Sequence, residues 1–251
     1  MRMGPDLTGR IALVTGGGRG IGARIAARMA EHGASVCVAD VSAESAASCA
    51  ATLGGNARSL TMDVTDRAQV DSVTDAIVRE RGGVDILVNN AGIVSIGPYD
   101  KPSNEEWARM IAVNLTGIFN CVQAIAPTMV ARRRGVIVNI ASVSAAKGGG
   151  SFGNVWYGAT KAAVVAITKG LARELGPHNV RVNAIAPSAI EADMIKDALT
   201  PDIRASVLAR FPLGRLATAD DVAHLAVYLA SDLASFITGE TIAVDGGFLK
   251  T

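Results

Sequence analysis

The sequence predicts one doubly wound α/β domain over residues 1–251, a parallel sheet of seven strands with helices on both faces. Three observations carry this. Short apolar runs alternate with amphipathic segments from Arg10 to the C-terminus. The first run ends in a glycine loop, Gly16 to Gly22, that opens a helix. Polar or glycine residues gather just after the runs, where a parallel sheet builds its ligand-binding edge.

Composition agrees. The chain is 49% apolar but only 4% aromatic, so its apolar residues are mostly the aliphatic ones that suit buried parallel strands under close-packed helices. A formal charge of +1 gives no reason to expect nucleic acid or an anionic membrane as partner. Cys37, Cys49 and Cys121 are scattered, without metal-ligand spacing, and read as reduced core thiols of a cytoplasmic protein. No unbroken apolar run approaches about 18 residues, so no membrane span is expected. Met1 to Gly9 lacks the apolar core of a signal peptide.

Arg10 to Thr15 is the first strand. The glycines after it let backbone approach a pyrophosphate at the N-terminus of the next helix, which Gly33 stops. The second strand, Ser35 to Asp40, ends in a carboxylate about twenty residues past the glycine loop, placed to accept from adenosine ribose hydroxyls. That carboxylate repels a 2′-phosphate and selects NAD; Arg19 in the loop would attract one and keeps NADP open. Ser42 caps a helix to about Leu53. Arg58 to Met62 forms a third strand ending at Asp63-Val64, and a helix follows from about Asp66 to Arg81. Val84 to Val88 is the fourth strand, closed by Asn89-Asn90-Ala91-Gly92, whose amides can tie neighbouring strands or simply form a turn.

Ser103 to Glu106 is a capping box opening one long helix to about Arg132. Asn114 lies inside it among apolar neighbours, either a bonded structural amide or part of a polar relay. Gly135 to Ala141 is the fifth strand, followed by Ser142-Val143-Ser144 and a glycine-rich loop. The next helix, through to about Leu175, carries Tyr157 and Lys161 one turn apart on one face. A phenol beside an ammonium is a proton-transfer pair, and the cation is expected to lower the phenol's pKa towards working pH. Val180 to Ala186 is the sixth strand, stopped by Pro187. Residues 188–216 are expected to form a substrate lid, Thr218 to cap the last helix, and Glu240 to Asp245 to form the seventh strand.

Thr15-Gly16-x-x-x-Gly20-x-Gly22, Asn89-Asn90-Ala91-Gly92, Asn114, a serine after the fifth strand and Tyr157-x-x-x-Lys161 occur in order along the whole chain. Together they resemble the short-chain dehydrogenase/reductase family, including bacterial 3-oxoacyl-carrier-protein reductases and sugar, polyol and hydroxysteroid dehydrogenases. The resemblance implies a Rossmann enzyme, assembled as a homotetramer, that moves a hydride between a nicotinamide and a small alcohol or carbonyl substrate. A dinucleotide-binding regulator without turnover is the contrasting reading, and the intact serine, tyrosine and lysine positions speak against it.

By that resemblance, Tyr157 is the general acid and base, Lys161 tunes it and holds the nicotinamide ribose, Ser142 binds the substrate oxygen, and Asn114 passes protons through water to Lys161. Cofactor contacts carry over to Gly16, Arg19, Gly20, Ile21, Gly22, Asp40, Asp63, Val64, Asn90, Ala91, Gly92, Tyr157, Lys161, Pro187 and Ile190. Phe152 and Trp156 offer apolar walls to the substrate; Ser95, Ser151 and Asn154 offer hydrogen bonds. Three departures stand out. Family spacing from the tyrosine selects Ser144, whereas strand registration selects Ser142, the preferred choice. Ser188 follows Pro187 where the family has glycine. Ala192 replaces a threonine that commonly holds the nicotinamide amide.

Overall fold

The computed structural model describes residues 4–55, 57–149, 153–190 and 208–250. Strands β1 (Ile11–Thr15), β2 (Ser35–Asp40) and β3 (Arg58–Thr61) are followed by helices α1 (Gly20–Glu31), α2 (Ala43–Leu53) and α3 (Arg67–Arg81). β4 (Ile86–Asn89) leads to the long α4 (Asn104–Arg132), and β5 (Gly135–Ile140) to a short α5 (Ser144–Lys147) and then α6 (Val155–Leu175). β6 (Val180–Pro187), α7 (Ala219–Ala230) and β7 (Thr241–Val244) complete the order.

Local chemistry sets the helix starts. The Ser42 hydroxyl accepts from Ser45 N–H at 3.2 Å and the Asp66 carboxylate from Gln69 N–H at 3.1 Å. Ser103 and Glu106 form the expected reciprocal box, with Ser103 N–H donating to Glu106 at 2.8 Å and Glu106 N–H to Ser103 at 3.2 Å. Thr218 and Asp221 repeat the device on α7. Gly82, at φ 81°, ends α3 in the left-handed conformation that glycine accepts without a Cβ clash.

All seven strands pair in parallel in the order β3-β2-β1-β4-β5-β6-β7. The period-two alternation of each strand feeds a core on each face. Ala12, Val14, Val136, Val138 and Ile140 pack under α1 and α7, while Leu13, Leu87, Ile137 and Val182 pack under α3, α4 and α6. Cys37, Cys49 and Cys121 are buried free thiols, as expected; burial pushes Cys121 up to about 12 and keeps it protonated.

Helix α4 is long and apolar enough to cross a membrane by length and composition alone, although no unbroken apolar run marked it in the sequence. It is a core helix. Ile118, Cys121, Val122, Ile125 and Met129 are buried on the sheet, and Asn120 donates to the Val64 carbonyl at 2.9 Å. The one long helix expected from Ser103 is continuous, but Ala112–Thr116 winds as a π turn with Asn114 inside it. An inserted π turn leaves no mark in apolar periodicity, so the sequence could not announce it.

The connections change direction at the centre of the sheet, where β1 and β4 pair. The chain runs outwards from β1 to β3, then returns to start β4 on the other side of β1, which leaves a crevice at the carboxyl ends of those two strands. Asn90 stitches this point. Its Nδ2 donates to the carbonyls of Thr15 (2.9 Å) and Gly16 (2.8 Å), and the Thr15 hydroxyl accepts from Asn90 and Ala91 N–H at 3.1 Å each. Of the two readings of the asparagine pair, the interstrand tie is the one realised. Gly22 allows the stitch, because a Cβ there would lie 2.2 Å from the Gly16 oxygen and 2.5 Å from Asn90 Nδ2. Gly22→Ala is therefore expected to cost about 1–3 kcal/mol by overpacking, measured by denaturant unfolding, whereas Gly20→Ala, with open space for its Cβ, should show only the smaller cost of its φ of 56°.

Candidate active site

The crevice opens into a cavity of about 1330 Å³ along the carboxyl ends of the strands. Gly16, Gly20 and Ile21 line it beneath the start of α1, which no side chain caps. Uncapped first-turn N–H groups beside glycine backbone suit a pyrophosphate. Arg19, Asp40, Asp63, Val64, Asn90, Ala91, Gly92, Pro187 and Ile190 line the same cavity, together with Tyr157, Lys161 and Ser142. Among the expected cofactor residues, only Gly22 does not; its part is the packing just described. These groups fit a nicotinamide dinucleotide: a Cβ-free cradle, an anion-favouring helix end and a carboxylate at the second strand.

Asp40 is 8% exposed at the end of β2. Gly18 N–H donates to its Oδ2 and Ser42 N–H to its Oδ1, each at 3.0 Å. It thus steadies both the glycine loop and the start of α2, and each oxygen keeps a second lone pair for a ribose hydroxyl. Asp63 closes β3 by accepting from Thr65 N–H (2.9 Å) and the Thr65 hydroxyl (2.8 Å).

The cavity floor lies between β5 and α6. Lys161 is 5% exposed, and its Nζ donates to the Ile140 carbonyl at 2.7 Å. Burial lowers its pKa from 10.5 to about 8. Tyr157 hydrogen-bonds Ser142, and Lys161 Nζ stands 5.8 Å from the centre of its ring. The expected lowering of the Tyr157 pKa is not found. Burial pushes the phenol up, and the Ser142 hydrogen bond opposes this without reversing it. Desolvation of a phenolate here outweighs the lysine, which is itself weakened as a cation by the same burial.

Ser142, not Ser144, bonds the phenol. The Ser144 N–H donates to Ser142 Oγ at 3.1 Å, and Ser144 begins α5. Asn114 stands behind this floor rather than in the cavity lining. Its Oδ1 accepts from Ile93 N–H (2.9 Å), and its Nδ2 donates to the Ile93 carbonyl (3.0 Å) and Thr160 Oγ1 (3.1 Å). A Cβ on Gly92 would lie 3.3 Å from Asn114 Oδ1 and 3.5 Å from Lys161 Nζ, so that glycine fits between them. Further along α6, Thr168 Oγ1 accepts from Asn139 Nδ2 at 2.9 Å, and Asn139 Oδ1 from Asn89 Nδ2 at 2.8 Å. This buried chain fixes α6 along β5 and so fixes where Lys161 meets Ile140.

The expected substrate residues fare differently. Asn154 caps α6 by accepting from Tyr157 N–H at 3.0 Å and donates to Ser95 Oγ at 2.9 Å, so the two hold each other outside the cavity lining. Trp156 packs against Trp107 and donates to the Tyr99 carbonyl at 2.7 Å. Ser151, Phe152 and Ala192 lie outside the described residues, as does 191–207 of the expected lid. The base of that segment is pinned by a parallel bridge between Ile190 and Ala217. Ser188 N–H donates to the Val244 carbonyl at 3.1 Å, and its φ is not in the left-handed region, so glycine is not required. Phe211, expected as an apolar residue of the lid segment, lines the cavity, whereas sequence reasoning missed Arg109, Arg210 and Phe248, also in the lining. Phe248 arrives from beyond β7, too far along the chain for any local signal to place it.

The family model described as Enoyl-(Acyl carrier protein) reductase matches residues 16–249. The 3-oxoacyl-[acyl-carrier-protein] reductase FabG of Escherichia coli (strain K12) is 43% identical over 242 residues, 96% of this chain and 98% of that protein. An uncharacterized short-chain type dehydrogenase/reductase of Sinorhizobium fredii is 40% identical over 249 residues, 97% and 98% of the two chains. Among solved structures, a gluconate 5-dehydrogenase from Burkholderia cenocepacia in complex with NADP and tartrate superposes with TM-score 0.91 at 36% identity, covering 98% of this chain and 97% of that one. A 3-ketoacyl-(acyl-carrier-protein) reductase from Brucella melitensis complexed with NADH gives 0.88 at 36% identity, over 97% and 99%. The chain belongs to the short-chain dehydrogenase/reductase family and is an NAD(P)-dependent oxidoreductase.

Lys161 also carries a stability signature. Its pKa is lowered on folding, so below about pH 8 both folded and unfolded states hold the proton and the folded state bears the full cost of burying an ammonium. Above about 8 the folded state releases the proton first, and stability from this group rises with pH until about 10.5. At about 1.36 kcal/mol per pH unit the cost relieved approaches about 3 kcal/mol, of which about 1 kcal/mol returns when the Ile140 carbonyl loses its donor. Lys161→Met should therefore be the more stable protein at pH 7, by about 2 kcal/mol in urea unfolding. The difference from the parent should shrink between pH 8 and 10. A variant less stable than the parent at pH 7 would contradict the burial argument.

Proposed function

We propose that this chain reversibly converts a compact secondary alcohol to its ketone with NAD as preferred cofactor, Tyr157 being the general acid in reduction and the base in oxidation. The observation that carries this is the meeting of Ser142, Tyr157 and Lys161 on the floor of the cavity whose other end suits a dinucleotide. The nicotinamide, when bound, supplies or accepts the hydride. Everything else falls to the protein. Burial keeps Tyr157 protonated, ready to give its proton to the substrate oxygen. Ser142 Oγ orients that phenol and offers a hydrogen bond to the same oxygen. Lys161 stabilises the phenolate left behind, which explains a buried ammonium at that place. Asn114, fixed by Ile93 and Thr160, serves the proton route to Lys161 through water. The fatty-acyl variant of the same chemistry, reduction of a 3-oxoacyl thioester on a carrier protein with NADPH, is favoured by the names of the relatives. Turnover of 3-oxoacyl thioesters against simple ketones separates the two.

A homotetramer in the cytoplasm completes the reading, supported by exposed apolar side chains on the outer faces of α4 and α6, Phe119 (57% exposed) and Trp156 (39%) among them.

Tyr157→Phe should bind NADH nearly as the parent does, by fluorescence titration, and lose at least about 10²–10⁴ in kcat on a competent ketone. Survival within tenfold would remove Tyr157 from the acid role. For the cofactor, Asp40 sets a like charge against a 2′-phosphate, a contact costing several kcal/mol, whereas an exposed Arg19 pair returns about 0–1 kcal/mol. The parent should prefer NADH about a hundredfold in kcat/KM, and Asp40→Ala should narrow or reverse that ratio. A parent enzyme faster with NADPH would overturn the preference and make Arg19 decisive.

A further inference from the structure

Among the described residues three serines line the cavity, Ser142, Ser144 and Ser188, and their hydroxyls are engaged differently. Ser142 hydrogen-bonds Tyr157, and Ser188 Oγ donates to the Val244 carbonyl at 3.4 Å. Ser144 is 7% exposed and tied through both backbone groups. Its N–H donates to Ser142 Oγ at 3.1 Å, and its carbonyl accepts from Gly149 N–H at 3.0 Å. Among the described residues its hydroxyl bonds nothing, yet it is not sealed inside the protein as those of Thr74 and Thr241 are. A buried hydroxyl normally has a partner. This one is left for whatever fills the cavity.

Its surroundings offer no substitute. Val143, its chain neighbour, packs with Phe211, Phe248 and Ala189 into one apolar cluster, and all four line the cavity. A substrate lying against that wall keeps water from Ser144 Oγ, so it must carry an oxygen there or leave the hydroxyl without a partner. The Ser142 contact sets the distance. Ser144 Oγ is three bonds from its own nitrogen, which puts it within roughly 7 Å of Ser142 Oγ. Once each hydroxyl's own hydrogen bond is allowed for, that is a span of one or two carbons from the oxygen held at Ser142. We propose that Ser144 Oγ binds a second oxygen of the substrate, a hydroxyl or carbonyl on the carbon next to the reacting one or one carbon beyond it. This rests on the carbonyl-reduction reading and narrows it to ketones oxygenated at a neighbouring position.

The test compares the full chain with Ser144→Ala, which keeps the N–H that Ser142 accepts and loses only the hydroxyl. Two pairs of ketones differ by a hydroxyl in place of a methyl: hydroxyacetone against butan-2-one, and 4-hydroxybutan-2-one against pentan-2-one. Each is reduced with NADH and, separately, with NADPH. In the variant kcat/KM should fall about threefold to tenfold on the hydroxyketone of at least one pair and stay within about twofold on its isostere. The pair that responds places the second oxygen. Independently of turnover, the alcohols of the same pairs, which cannot react with a reduced cofactor, are titrated by calorimetry into the NADH-loaded protein. The diol of the responding pair should bind about threefold to tenfold more weakly to the variant, and the simple alcohol alike to both. No loss in the variant, an equal loss on both members of each pair, or diols binding alike to parent and variant would each overturn the subsite. Silence of all four ketones with both cofactors, with a diol still distinguishing parent from variant, would overturn the reductase reading and leave the subsite standing.

Discussion

The structure turns on the point between β1 and β4 where the paired strands send their connections in opposite directions. Parallel strands need long crossovers, and a chain that winds outwards twice from one strand must leave a gap where the directions diverge. Just past the last ladder pair of these strands, Val14 with Val88, the Thr15 hydroxyl and the Asn90 amide tie the two strand ends together at 2.8–3.1 Å. The glycine loop, the acidic end of β2 and the cavity floor beyond β5 are all set relative to this stitched point.

The second constraint works against stability. A lysine with almost no exposure is costly, and its pKa near 8 measures that cost. The protein accepts it by surrounding α6 with fixed polar partners. Asn154 holds the first turn, Thr160 meets Asn114, Lys161 meets Ile140, and Thr168 ends the Asn89–Asn139 chain. Asn154, Lys161 and Thr168 are spaced by seven residues, so they share one face of the helix. Helix α6 is held at several depths, and Tyr157 and Lys161 are fixed with it. A site that must place a proton within hydrogen-bond reach needs such support more than it needs a further contact to substrate.

Burial also decides the starting protonation states. The phenol stays neutral and the ammonium is only modestly favoured over the amine, so the pair is poised rather than ionised in advance. Sequence spacing brings Tyr157 and Lys161 together, but spacing cannot weigh desolvation against charge. That balance depends on everything stacked over the helix.

The sequence by itself determined the strand and helix rhythm, the capping boxes at Ser103 and Thr218, and the glycine loop. Each of these is written in local periodicity or in side chains whose partners sit within a few residues. Tertiary structure alone decided the rest. It wound α4 as a π turn around Asn114, turned Ser95 and Asn154 towards each other, raised the Tyr157 pKa, and brought Phe248 from beyond the last strand to face Lys147. Those outcomes depend on what packs against what across the whole chain, and no window of sequence contains both partners.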